Sequence, residues 1–168
     1  MLNIFFTSFV FEATIIDKDF ANKYHVPTDR IALKIYFNLN VNELNMIEEL
    51  KECTSLCIVK YYFGQTFDNS RNSKNVISGE VNEMVNKMIG PKSILAIGME
   101  YLSGPNFEEL KIQDYKLTLK YILDIAAALE WLHSRNIMHR NISPKNIMLN
   151  KTRDYVISIK ILNLPIIG

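Results

Sequence analysis

Residues 137–150 read IMHRNISPKNIMLN, and the reading of this stretch decides the fold. Two basic residues, His139 and Arg140, are followed by Asn141, a turn around Pro144, and Asn146, with apolar runs on either side. Working outward toward the N-terminus, residues 115–136 (YKLTLKYILDIAAALEWLHSRN) carry the clearest periodicity in the chain. Leu119, Ile122, Ile125, Ala126, Leu129 and Leu132 fall on one apolar stripe, which predicts a helix. Toward the C-terminus, IMLN and ISIKIL read as two short strands around a turn at 150–155.

Further upstream the pattern changes to strands with one helix. Residues 4–16 are rich in Phe, Val, Ile and Thr and partly alternate, which predicts two short strands. Residues 29–37 (DRIALKIYF), 57–67 (CIVKYYFGQTF) and 93–102 (SILAIGMEYL) read as strands, the last broken by Gly104-Pro105. Residues 41–56 have helical spacing of apolar positions. Residues 68–78 (DNSRNSKNVIS) are polar and turn-rich and read as a loop, and 79–90 as a short helix or part of the same insertion. The Tyr61-Tyr62-Phe63 run reads as ordinary strand packing.

Composition narrows the function classes. The 168 residues suffice for one domain with a core, and 48% apolar with 22% charged residues is globular usage. A net charge of +1 argues for neither nucleic acid nor a membrane surface as partner. The N-terminus is apolar but has no Lys or Arg before its apolar run, so it does not read as a signal peptide. No apolar run reaches the ~18 residues of a membrane helix. Cys53 and Cys57 are spaced i, i+4 with no second Cys or His pair, so they read as buried thiols in a reducing, cytoplasmic setting, not as metal ligands.

The element order, with IALK (31–34), MEYL (99–102) and HRNISPKN (139–146) inside it, resembles the eukaryotic protein kinase domain. The resemblance covers nearly the whole chain and implies an α+β, protein-kinase-like fold. That fold has an antiparallel β N-lobe with an αC helix, plus an incomplete helical C-lobe made of αE, the catalytic loop and a short β pair. It implies one partial domain over residues 1–168, with an N-lobe at 1–98, a hinge at 99–104 and a truncated C-lobe at 105–168 ending at the Mg-loop position. IALK is similar to the family's V-A-I-K strand, which puts Lys34 where a lysine pairs with nucleotide phosphates. Residues 98–110 (GMEYLSGPNFEEL) resemble the hinge, with Glu100 and Leu102 as the nucleotide-binding positions. Val10, Ala32 and Met148 match positions that sandwich adenine. His139 and Leu164 match the family's hydrophobic spine, which Leu50 extends, and Met99 matches either a pocket gatekeeper or plain strand core. The implied cofactors are ATP and, weakly, Mg²⁺.

The departures from that pattern bear directly on chemistry. The family's Gly-rich loop lets backbone N–H groups approach phosphates, yet the matching stretch, residues 5–10 (FFTSFV), has no glycine. The αC position that offers a glutamate to the strand lysine falls on Met46, with Glu43 and Glu49 one turn either side. Asn141 stands at the position of the catalytic Asp. An amide cannot take up the substrate hydroxyl's proton near neutral pH, and a general base typically contributes about 10²–10⁴ in rate, or roughly 3–5 kcal/mol of barrier. Ser143 replaces the family's usual Lys. Asn146, the second metal-ligand position, is kept. Asn163-Leu164-Pro165 replaces Asp-Phe-Gly, so Asn163 is at most a weak, neutral metal ligand where Mg²⁺ favours anionic oxygens.

Packing alone also accounts for several of these residues. His139 reads as a packed core histidine, Lys34 alternatively as an exposed strand lysine, and Asn146 alternatively as a turn-capping asparagine. A kinase domain takes about 250 residues, a size at which one core is still coherent. This chain ends at Gly168, so the sequence leaves the αE stripe without its usual C-lobe partner, which marks an interaction surface or an unstable fragment. Three readings compete. The first is a pseudokinase that binds nucleotide or protein, the partner being another protein such as a kinase, docked through the exposed αE face. The second is a fragment of an ATP-dependent protein kinase, Ser/Thr rather than Tyr, that phosphorylates protein hydroxyls. The third is a non-functional truncated remnant.

Overall fold

The structure is a computed structural model and describes residues 8–26, 30–36, 41–68, 93–139, 141–152 and 156–161. The elements are β1 (Ser8–Thr14), α1 (Lys18–Lys23), β2 (Arg30–Tyr36), α2 (Val41–Lys51), β3 (Tyr61–Asp68), β4 (Ser93–Glu100), α3 (Tyr115–His133), a 3₁₀ turn (Pro144–Asn146), β5 (Ile147–Thr152) and β6 (Val156–Ile161). They fall into two compact units. The first comprises residues up to Lys51 together with Tyr61–Met99, and the second comprises Glu52–Lys60 and the chain from Glu100 onward.

The first unit is built on a four-stranded sheet in the order β1-β2-β4-β3, with β1 antiparallel to β2 and β3 antiparallel to β4. Strand alternation sorts its residues onto two faces. One face carries Ile31, Leu33, Ile35, Ile94 and Ala96, which pack with Tyr62 and Phe63. Phe11, Phe20 and Tyr24 cover that cluster, and the Phe20 and Phe63 rings meet edge to face at 5.0 Å. α2 packs beside β3 and buries Ile47 and Leu50. A register shift between Tyr61 and Phe63 adds a residue to β3, and Tyr61, Tyr62 and Phe63 are all buried around it. Opposite Phe63 stands Gly98, where any Cβ would run into the Phe63 ring.

The second unit is α3 against the antiparallel β5–β6 pair. Tyr121, Ile147 and Leu149 form its core, with Phe107, Leu110, Ile112, Leu117 and Ile125 packed around them. Asp114 caps α3 by accepting from the N–H groups of Lys116 at 2.8 Å and Leu117 at 3.4 Å. The segment after β4 lies along β5: Phe107 N–H donates to the Ile147 carbonyl at 2.7 Å and Leu149 N–H to the Pro105 carbonyl at 3.1 Å. Gly104 permits this approach, since a Cβ there would meet the Leu149 carbonyl oxygen.

Several expectations are corrected. The 41–56 helix ends at Lys51, because Ser55 accepts from Cys57 N–H through its hydroxyl and from Ile58 N–H through its carbonyl, forming a turn in place of helix. Cys53 and Cys57 therefore do not sit on one helix, and both are half-buried where the sequence reading had them buried. The strand expected from residue 57 starts at Tyr61. The 115–136 helix ends at His133: Asn136 adopts a left-handed φ of 59°, and Ile137 N–H returns to the Leu132 carbonyl at 3.0 Å. The described part of residues 4–16 is one strand, β1. α1 was not expected; Asp17 starts it by accepting from Asp19 and Phe20 N–H. Residues 69–90, expected as a loop followed by a short helix or more of the same insertion, lie outside the described residues.

The apolar stripe on α3 is also redistributed. The buried line runs through Tyr121, Ala128 and Leu132, with Ile125 half-buried, while Leu119, Ile122 and Ala126 are exposed. The helix is apolar on more than one side, so periodicity alone could not say which side is covered. Among the described residues no helix is long and apolar enough to cross a membrane.

Candidate functional site

The residues singled out from the sequence fall in both units. In the first, Val10 stands directly across from Lys34 in the β1–β2 register, and Ala32 is two residues along the same strand. Cross-strand partners and i, i+2 neighbours share a face, so Val10, Ala32 and Lys34 lie on one side of the sheet, opposite the Ile31–Leu33–Ile35 face. Lys34 is buried, at 8% exposure, and is not the surface lysine of the alternative reading. Its ammonium lies 4.8 Å from the centre of the Tyr36 ring on the same face. Val10 is exposed and Met99 is buried. On α2, Met46 is half-buried and Glu49 exposed.

In the second unit the 139–146 loop is held by hydrogen bonds. His139 is 2% exposed, and its Nδ1 accepts from the Asn141 backbone N–H at 3.2 Å. Asn146, also buried, donates from Nδ2 to the Asn141 carbonyl at 2.9 Å, and its backbone N–H reaches the Ser143 carbonyl at 2.9 Å. The two side chains thus grip residue 141 from its amide and from its carbonyl. The Asn141 side chain itself is exposed. Asn146 works as the turn-capping residue, and its committed Nδ2 leaves the amide oxygen as the atom with metal-ligand chemistry.

Glu100 has a structural task that sequence reasoning missed. Its N–H donates to the Lys60 carbonyl at 2.8 Å, while its carboxylate accepts from Lys60 N–H at 3.2 Å and from Asn150 Nδ2 at 3.3 Å. Within the second unit the carboxylate ties residue 100 to Lys60 and to Asn150 of β5. Leu102 is buried and Met148 half-buried; Met148 forms an isolated bridge with Asn106. Asn163, with Leu164 and Pro165, lies outside the described residues.

At the described positions the candidate metal ligands are amides, weaker donors for a hard divalent cation than carboxylates. Asn141 and Asn146 offer neutral amide oxygens, and among the described residues no group of three or more His, Cys, Asp or Glu is placed to hold a metal. Mg²⁺ is a hard ion bound through carboxylates and phosphates. Asn141 likewise has no basic atom for a hydroxyl proton. Burial pushes the hydroxyl of the core residue Tyr121 above its ordinary value, with Lys120 lowering and Asp124 raising it.

A protein kinase domain family model matches residues 26–164. The chain belongs to the protein kinase domain family. It is 28% identical over 145 residues to the eIF-2-alpha kinase GCN2 of Schizosaccharomyces pombe, covering 81% of this chain and 9% of that protein. It is 23% identical over 148 residues to the CBL-interacting serine/threonine-protein kinase 20 of Arabidopsis thaliana, covering 83% of this chain and 29% of that one. A probable inactive serine/threonine-protein kinase of Dictyostelium discoideum is 46% identical over 56 residues, 30% of this chain and 5% of that protein. The chain spans less than a third of the length of each of these relatives.

Proposed function

We propose that this chain is a catalytically impaired kinase-like domain that binds adenine nucleotide without a divalent cation and acts by docking to another protein through α3. The observation that carries the reading is the 139–146 loop. His139 and Asn146 hold residue 141 in a fixed backbone position, and the side chain held there is an amide with no base chemistry. The buried Lys34 is the residue assigned to the nucleotide phosphates, with Val10 and Ala32 on its face for the base. The family resemblance extends the set to the backbone of Glu100 and Leu102 and to Met148. It also supports the division into an N-lobe (1–98), a hinge (99–104) and a C-lobe (105–168), and a cytoplasmic setting.

Thermal unfolding in the presence of increasing ATP tests the reading. Saturable stabilisation by ATP in the presence of a chelator is expected, and Lys34→Ala should abolish it. A shift that survives Lys34→Ala would sink the binding site. A second reading, an active Ser/Thr kinase with an unusual residue set, is favoured by retention of Asn146 and Lys34 and by relatives named as serine/threonine kinases. Metal-dependent stabilisation accompanied by phosphate transfer to a protein hydroxyl would establish it.

A further inference from the structure

β2 carries two buried residues on the face opposite Ile31, Leu33 and Ile35, and they touch. Lys34 and Tyr36 are 8% and 9% exposed. They stand two residues apart on one strand, so both belong to the Val10–Ala32 side of the sheet. The Lys34 ammonium lies 4.8 Å from the centre of the Tyr36 ring, within the range of a cation–π contact.

The strand register places this pair at one end of the candidate site. Lys34 stands across from Val10, and Tyr36 stands across from Ser8. Val10 and Ala32 are the positions assigned to the base, while Ser8 belongs to the 5–10 stretch that takes the place of the Gly-rich loop. Tyr36 therefore lies on the phosphate side of Lys34. Every residue of that stretch carries a Cβ, which stands in the way of a close backbone approach to phosphate, so more of the phosphate contact falls to the lysine. A lysine stem is long and flexible, and fixing it costs rotamer entropy. A ring that holds the ammonium before the ligand arrives removes that cost from binding. The ring attracts the ammonium through its quadrupole and cancels none of its charge.

We propose that Tyr36 is a positioning residue for Lys34: its ring holds the ammonium on the nucleotide face of the sheet, and polyphosphate meets the ammonium from the side away from the ring. This deepens the nucleotide reading given above and rests on it. Tyr36 acts through the lysine and does not itself touch the nucleotide. The contact uses the face of the ring and not the hydroxyl, so phenylalanine can serve in its place. Leucine keeps the apolar bulk but has no quadrupole, and cannot. A lysine charge left whole by the ring is available to the polyphosphate, in keeping with binding in the presence of a chelator.

Nuclear magnetic resonance of the lysine ε-methylene groups, with calorimetric titration of ATP in the presence of a chelator, tests this role in the 168-residue chain. The Lys34 signal is identified by its loss in Lys34→Ala. In the ligand-free wild type it should lie upfield of lysines that face no ring, because its protons sit over the ring of Tyr36. It should stay upfield at saturating ATP, because the ammonium keeps the ring while it holds phosphate. Tyr36→Leu should return the signal to the position of the other lysines and weaken ATP binding about 5-fold or more. Tyr36→Phe should keep the shift and bind ATP within ~2-fold of the wild type. An unshifted signal in the ligand-free wild type overturns the proposal, whatever the titration shows of nucleotide binding, and it needs no variant to fold. A signal that loses its shift when ATP binds also overturns it, since the lysine then has to leave the ring to reach phosphate. So does a Tyr36→Leu chain that binds ATP as tightly as the wild type. A shifted signal in a wild-type chain that binds no ATP overturns the nucleotide reading, and the positioning role with it.

Discussion

β2 and the 139–146 loop keep their shapes by different means. β2 is held by apolar burial: Ile31, Leu33 and Ile35 seat its backbone in the sheet, and Lys34 is carried along on the other face. The loop has little apolar surface of its own and is held by His139 and Asn146 gripping the backbone of residue 141. The difference teaches what each region can lose. A strand fixed by its neighbours keeps a lysine in place whatever that lysine does. A loop fixed through the backbone of residue 141 keeps its frame whatever side chain residue 141 carries, which is how Asn can occupy a position where the family places a base.

The largest expected effect is on the apolar side. Leu95 is fully buried in β4, and Leu95→Ala should lower unfolding stability by about 2–5 kcal/mol, read as a shift of the denaturant midpoint. A loss near zero would mean the sheet does not depend on burial. Next is the loop's frame. Asn146→Asp removes the donor to the Asn141 carbonyl and sets a carboxylate beside it, so a loss of about 1–3 kcal/mol is expected in the same measurement. If Asn146→Asp were neutral, the hydrogen bonds would not hold the loop. Asn141→Asp should change stability by less than about 0.5 kcal/mol, since its side chain is exposed. It should also yield no phosphate transfer above background, because the loop would gain a base without an anionic metal site. Transfer by that single variant would show that the remaining chemistry is intact.

The smallest effect is a pH dependence. Burial raises the Tyr121 pKa in the folded chain, so the folded state holds this proton after the unfolded state has released it. The associated stability is present below pH ~10 and is lost as pH rises from there through the folded value. Urea unfolding at pH 9 and pH 11 should show a smaller decline for Tyr121→Phe than for the wild type.

The long elements were legible because their patterns repeat. The 115–136 periodicity and the alternating apolar residues Ile31, Leu33 and Ile35 give the helix and the strand to within a few residues. α1 was missed because six residues show less than two turns of periodicity, and its only local signal is Asp17 as an N-cap. The covered side of α3 was misjudged because Ile122 and Ile125 look alike in sequence, and only packing against Ile147 and Leu149 of β5 tells them apart. At the candidate site, the positions of Lys34, Asn141 and Asn146 could be read from motif spacing. The grip of His139 and Asn146 on residue 141 runs through backbone groups, and so does part of the clamp on Glu100. Side-chain identity does not report such contacts.

The most direct test of the central claim, a retained frame without metal chemistry, is calorimetric titration of the chain with ATP, once with Mg²⁺ and once with a chelator. The account predicts binding heats of the same size in both conditions, with no ADP produced. Binding that requires Mg²⁺ and turns ATP over would contradict it.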